Sequence, residues 1–182
     1  ARIQETGRMG MEFLTYDLRM AGYTGCNANI PTKNINNIAK HPGDLYNLDG
    51  LQAFSYTGTY PSNALTDWTP KLPADYFGAN QVQAGTDVLI IHRASSESAR
   101  LSAKHLVSDA NVKLLASNGL NLEQGDVVIL SDCKNMDIFR KTNAASSTDT
   151  VAHAMDKNTD VKLSKEYGTN AELFRLVTMA YY

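Results

Sequence analysis

The sequence predicts an α+β domain, with an N-terminal helix, a long irregular stretch and then a mainly β region. Three observations carry this reading. Apolar residues recur at steps of three and four over the first 22 residues. Residues 27–85 hold all five prolines and little periodicity. From residue 86 onward the spacing changes to short apolar runs and alternation, the pattern of strands. One domain is expected over 1–182. Its 43% apolar and 20% charged content suits a globular chain with one hydrophobic core.

In the helix, Ile3, Gly7, Met11, Leu14, Leu18 and Ala21 form one stripe. Met9, Phe13, Tyr16 and Met20 form a second, at about 100° per residue. Arg8, Glu12, Thr15 and Arg19 fill the remaining polar arc. A helix lying on one sheet needs only one apolar face. The second stripe therefore means either a helix sunk more deeply in its own domain or a face for neighbouring subunits. Our reading assigns Ile3, Met11, Leu14 and Leu18 to helix-to-sheet packing, and Met9, Phe13, Tyr16 and Met20 to inter-subunit packing. Glu12 and Arg19 can pair with neighbours, but exposed ion pairs contribute little. The opening Ala1-Arg2-Ile3-Gln4-Glu5-Thr6 has no capping residue ahead of it, so 1–22 reads as the C-terminal half of a longer helix. Gly22 supplies a C-cap and Gly25 continues the break.

Residues 27–85 read as long, irregular connecting structure with one short strand at Gln52–Tyr56. Asp87–Arg93 and Asp126–Ser131, each behind a glycine turn, are strong strands, and Val112–Leu115 is a weaker one. Met136–Lys141 follows closely enough to pair antiparallel with 126–131. Residues 142–150 read as an exposed loop, and Glu172–Tyr182 alternates again.

Several chemistries find no support. The net charge of −2 argues against a nucleic-acid partner. No run of about eighteen apolar residues is present. His41, His92, His105 and His153 are scattered without metal spacing, and no nucleophile elbow or phosphate loop appears. No catalytic constellation or cofactor is expected. Asp156, Asn158 and Asp160 copy the opening of a calcium loop, but Val161 and Tyr167 stand where that loop needs Gly and Glu. A polar surface turn is the better reading. Trp68 and nearby tyrosines either cover the core edge or form a ligand surface, and the first is favoured. Cys26 and Cys133 are either two core thiols or one bridge; the count does not decide.

The block Ala1–Arg8, then Glu12-Phe13-Leu14, Asp17–Tyr23 and Gly25-Cys26, resembles the first helix of PilW-type minor pilins of the type IV pilus. Gly85–Ile90, Gly125–Cys133 and Tyr181-Tyr182 resemble the same family in the same order. Residues 27–84 match no pattern of that family. The family is similar in build to the J-type pseudopilins of type II secretion.

The resemblance implies a pilin-like fold: a long helix packed on an antiparallel sheet, with variable loops. It also implies a leader and an apolar half-helix ahead of this sequence, which anchors such proteins in the inner membrane before assembly, and further strands beyond Tyr182. The implied role is structural, priming pilus assembly and sitting at the pilus tip. Other minor pilins, the major pilin and an adhesin-like tip protein would be the partners. The implied periplasmic location makes an oxidised pair the expectation, so a Cys26–Cys133 bridge would tie the helix end to a central strand. A J-type pseudopilin and a ligand or adhesin-binding module built on the loops of 27–84 are the alternatives.

Overall fold

The structure is a computed structural model that describes residues 2–26, 30–40, 50–74 and 76–182. Ala1, His41 and the remaining parts of the loop-rich stretch lie outside the described residues. Two compact units divide the chain: residues 1–22, 41–93 and 178–182 form the first, and residues 23–40 and 94–177 form the second.

The described elements are one α-helix, α1 (Arg2–Met20), two 3₁₀ turns (Thr32–Asn34 and Leu65–Asp67) and nine strands. The strands are β1 (Ile35–Asn37), β2 (Leu51–Tyr56), β3 (Trp68–Thr69), β4 (Val88–Arg100), β5 (Asn111–Lys113), β6 (Val127–Ser131), β7 (Met136–Arg140), β8 (Thr150–Ala152) and β9 (Glu172–Tyr181). Seven of them share one hydrogen-bonded order, β1-β7-β6-β9-β4-β2-β3, and β5 pairs only with β8.

In the second unit, β6 and β7 form the expected antiparallel pair, with Ile129 opposite Ile138, and β9 flanks β6 on its other side. The β6–β7 turn is fixed by Asp132, whose Oδ1 accepts the backbone N–H of Lys134 and of Asn135 at 3.0 and 2.8 Å. All five residues of β6 and the first four of β7 are buried, so these strands have two covered faces. One of those faces is covered by Val112 of β5, Val151 of β8 and Leu163, which pack with Val128, Leu130 and Phe139. Each large aliphatic side chain so buried contributes roughly 1.5–3 kcal/mol. In the first unit, β2 pairs antiparallel with both β3 and the start of β4. Trp68, Phe54, Phe77, Val88 and Ile90 form its core.

The pilin-like expectation fails in two respects. The protein is mostly β, and its main sheet is mixed, because β1 runs parallel to β7 with Ile35 opposite Met136. The helix is not laid on a sheet by an apolar face, since Asp17 is its only buried residue. The cause lies in short polar segments that periodicity does not register. Ile35-Asn36-Asn37 reads as loop, yet its backbone pairs parallel alongside β7 and the Asn36 amide donates to Asp137 Oδ1 at 2.5 Å.

Other boundaries move for local reasons. β4 continues seven residues past Arg93 through the small and polar Ala94-Ser95-Ser96-Glu97-Ser98-Ala99-Arg100. Residues 142–150, expected to be exposed loop throughout, end in β8.

Candidate docking face

α1 is attached to the first unit near its C-terminal end. Asp17 is 4% exposed. Its Oδ1 accepts Arg93 Nε at 2.9 Å and its Oδ2 accepts the Tyr181 hydroxyl at 2.7 Å. The Arg93 guanidinium also lies over the Tyr16 ring, 5.4 Å from its centroid. Burial, then the hydrogen bond to the Asp17 carboxylate and its charge, push the Tyr181 phenol up to about 12. Just past the helix, Gly22 takes φ +74° and donates its N–H to the His92 carbonyl at 2.9 Å.

The rest of the helix is open. Met9, Phe13 and Tyr16 of the inter-subunit set are exposed, Phe13 by 62%, while Met20 is half-buried. The set expected beneath the helix behaves differently from the expectation. Ile3 is 89% exposed, Met11 and Leu18 are also exposed, and Leu14 is half-buried. Both stripes therefore face outward, and a charged residue supplies the attachment. Apolar periodicity cannot reveal this, because it ranks Asp17 with the solvent-facing positions. Arg8, Met11, Glu12, Thr15, Tyr16 and Arg19 line a shallow hollow along one side of the helix. No helix among the described residues is long and apolar enough to cross a membrane.

The structure joins Cys26 to Cys133 within the second unit, with the Cα atoms 5.4 Å apart. Cys133 sits in the β6–β7 turn at φ +67°, so the bridge clips residues 23–26 to that turn. Next to it, Gly25 has φ +88°, and a Cβ there would run into the Phe174 ring. The tight fit explains a glycine one residue before the cysteine.

The calcium candidates do not converge as ligands. Asn158 is buried; its Oδ1 accepts the Arg140 N–H at 2.7 Å, and its Nδ2 donates to the carbonyls of Arg140 and Ala154. Asp160 Oδ1 accepts the N–H groups of Val161 and Lys162, which holds its carboxyl below the usual range. Among the described residues no group of three or more His, Cys, Asp or Glu side chains is placed to hold a metal ion. Trp68 is in the first unit's core, donating its indole N–H to the Thr86 carbonyl at 2.8 Å.

One constellation had no sequence signal. His105 and His153, 48 positions apart by their numbers (153 − 105), lie with ring centroids 5.4 Å apart, both buried. Asp137 lies in the same core. No family model, curated protein or solved structure matches the chain.

Proposed function

We propose that this chain is a structural assembly subunit of the minor-pilin class, docking to neighbouring subunits through α1, and not an enzyme. The observation that carries the reading is the helix itself. Ile3, Met9, Met11, Phe13, Tyr16 and Leu18 present apolar surface on more than one side, while attachment falls to Asp17. So many exposed apolar side chains on one helix support an interaction site. The likeness of 1–26 to the PilW type supports the same role, and the bridge between Cys26 and Cys133 fits a periplasmic protein. The main sheet departs from that family's build, so the reading rests on the helix and the cysteine block.

In this role the helix acts mechanically. The second unit gives a disulfide-clipped body, and the exposed stripes bury apolar area against other helices at roughly 25 cal/mol per Å². Partners would be other minor pilins, the major pilin and an adhesin-like tip protein, before assembly in the inner membrane and periplasm and afterwards at the pilus tip.

Co-purification from cells making the full-length protein tests the reading. A stable complex with other minor pilins is expected, and it should be lost when Met9→Asp and Phe13→Asp are combined. Unchanged complex formation and piliation in that variant would overturn the proposal.

A further inference from the structure

The interior of the second unit contains a cluster that the docking role does not use. His105 and His153 are buried, and none of their four ring nitrogens makes a well-formed hydrogen bond. The Phe139 ring lies 4.9 Å from the His153 ring, centroid to centroid. The backbone at His105 pairs with Tyr167, the two N–H groups donating to each other's carbonyls at 2.9 and 3.0 Å. His153 donates its backbone N–H to Ala110 at 3.0 Å, directly after β8. The two imidazoles thus sit where β5, β8 and residues 163–167 meet the face of β7.

Asp137 of β7 is the neighbouring anion, and its acceptor capacity is filled. Oδ1 accepts Asn36 Nδ2 at 2.5 Å and the Ser164 N–H at 2.9 Å. Oδ2 accepts the Ser164 and Tyr167 hydroxyls, each at 2.6 Å. A carboxylate has about four lone-pair sites, so it gains a new donor only by releasing an old one. Asp109 is the other acidic group acting on His105. Lys165 lies over the Tyr167 ring, 5.5 Å from its centroid, and is paired with Asp132 at 2.6 Å. Lys104 and Glu166 pair at the exposed edge.

We propose that the His105–His153 pair is a proton-operated clasp, holding β5, β8 and residues 163–167 on β7 while neutral and loosening them when protonated. A proton placed on either ring is a buried charge whose nearby backbone acceptors, at Asn111 for His105 and at His153 and Val161 for His153, do not offset its burial. It must repel its neighbour, draw Asp137 away from Ser164 and Tyr167, or reach water by opening the layer. The last two routes both undo the contacts that hold residues 163–167.

The direction of titration agrees with the geometry. Burial lowers both rings; the like charge of His105 lowers His153 further, to about 4, against the smaller opposing pull of Asp137. A histidine that charges more readily when released contributes stability that is complete above its ordinary 6.5. That contribution is lost as pH falls through the interval down to about 4.

The test uses the whole chain with its disulfide intact. Histidine ring titrations by NMR are combined with amide hydrogen exchange, corrected for intrinsic rates, between about pH 7 and about pH 4.5. The His105 and His153 rings, assigned by their loss in the histidine variants and so distinguished from His92, which burial also lowers, should titrate below the ordinary value, His153 at about 4. Protection at 111–113, 150–153 and 164–167 should fall at least about tenfold over the same range, while 127–131 changes less. In the His105→Leu, His153→Leu double variant the fall should shrink to less than about threefold. Both rings titrating at the ordinary value, or an equal loss of protection in a folded double variant, would overturn the clasp. If that variant does not fold at neutral pH, the wild-type comparison decides. Protection must then decline progressively from about pH 6.5 down to the pH at which the rings titrate, and protection that stays flat across that interval refutes the proposal.

Discussion

Replacing Asp17 by alanine tests the attachment of α1 most sharply. The substitution removes a carboxylate that accepts two hydrogen bonds, from Arg93 at 2.9 Å and Tyr181 at 2.7 Å. The Arg93 side chain is only 14% exposed, so it loses its anion where water is a poor substitute. Removing one partner of a buried ion pair costs about 3–5 kcal/mol. The Tyr16 ring beside Arg93 offsets part of this, since an incompletely exposed cation–π contact is worth about 1 kcal/mol. A net loss of about 3 kcal/mol is therefore expected, read as a lower midpoint in urea with an unchanged slope. Tyr181→Phe, which deletes one hydrogen bond to a charged acceptor, should cost about 1.5–2 kcal/mol. The tyrosinate absorbance titration supplies an independent sign. With Asp17→Asn, the Tyr181 phenol should ionise more readily than at about 12, because the neighbouring charge is gone. A destabilisation below about 1 kcal/mol together with an unchanged phenol titration would refute the latch.

Three further outcomes follow from the same geometry. Joint replacement of Cys26 and Cys133 by serine opens a 107-residue loop and should cost about 4–5 kcal/mol, measured by denaturant unfolding against the oxidised protein. Gly25→Ala should destabilise by about 2 kcal/mol or more, because φ +88° and the Phe174 ring both exclude a Cβ; a neutral effect would mean the approach is looser than the structure has it. Asn158→Ala should cost about 2–4 kcal/mol by stranding the Arg140 backbone, and calcium titrated into the native protein should give no binding heat.

Much of the framework was legible in the residues. The helical period of 2–20, the apolar run Val127–Leu130 and the hairpin to Met136–Arg140 all follow from local pattern and turn chemistry. The segments that escaped reading are short: Ile35-Asn36-Asn37, Trp68-Thr69 and Thr150-Val151-Ala152 acquire strand geometry only by pairing with other parts of the chain.

The candidate site was legible in composition and not in orientation. Two apolar stripes mark the helix as a packing element, but which side meets the domain depends on Asp17 finding Arg93 and Tyr181, partners 76 and 164 positions away. The histidine pair is invisible for the same reason. Its members meet because β5 and β8 pair, a contact with no local signature.

If α1 docks as proposed, its exposed face is buried in an assembly. Hydroxyl-radical footprinting of Met9 and Met11 measures this directly, comparing the isolated chain with the assembled complex or filament. Both methionines are exposed in the structure and should oxidise readily in the isolated chain. The account predicts strong protection of Met9 on assembly, with exposed Met155 of the second unit oxidised equally in both states as the internal control. Equal oxidation of Met9 and Met11 before and after assembly would contradict it.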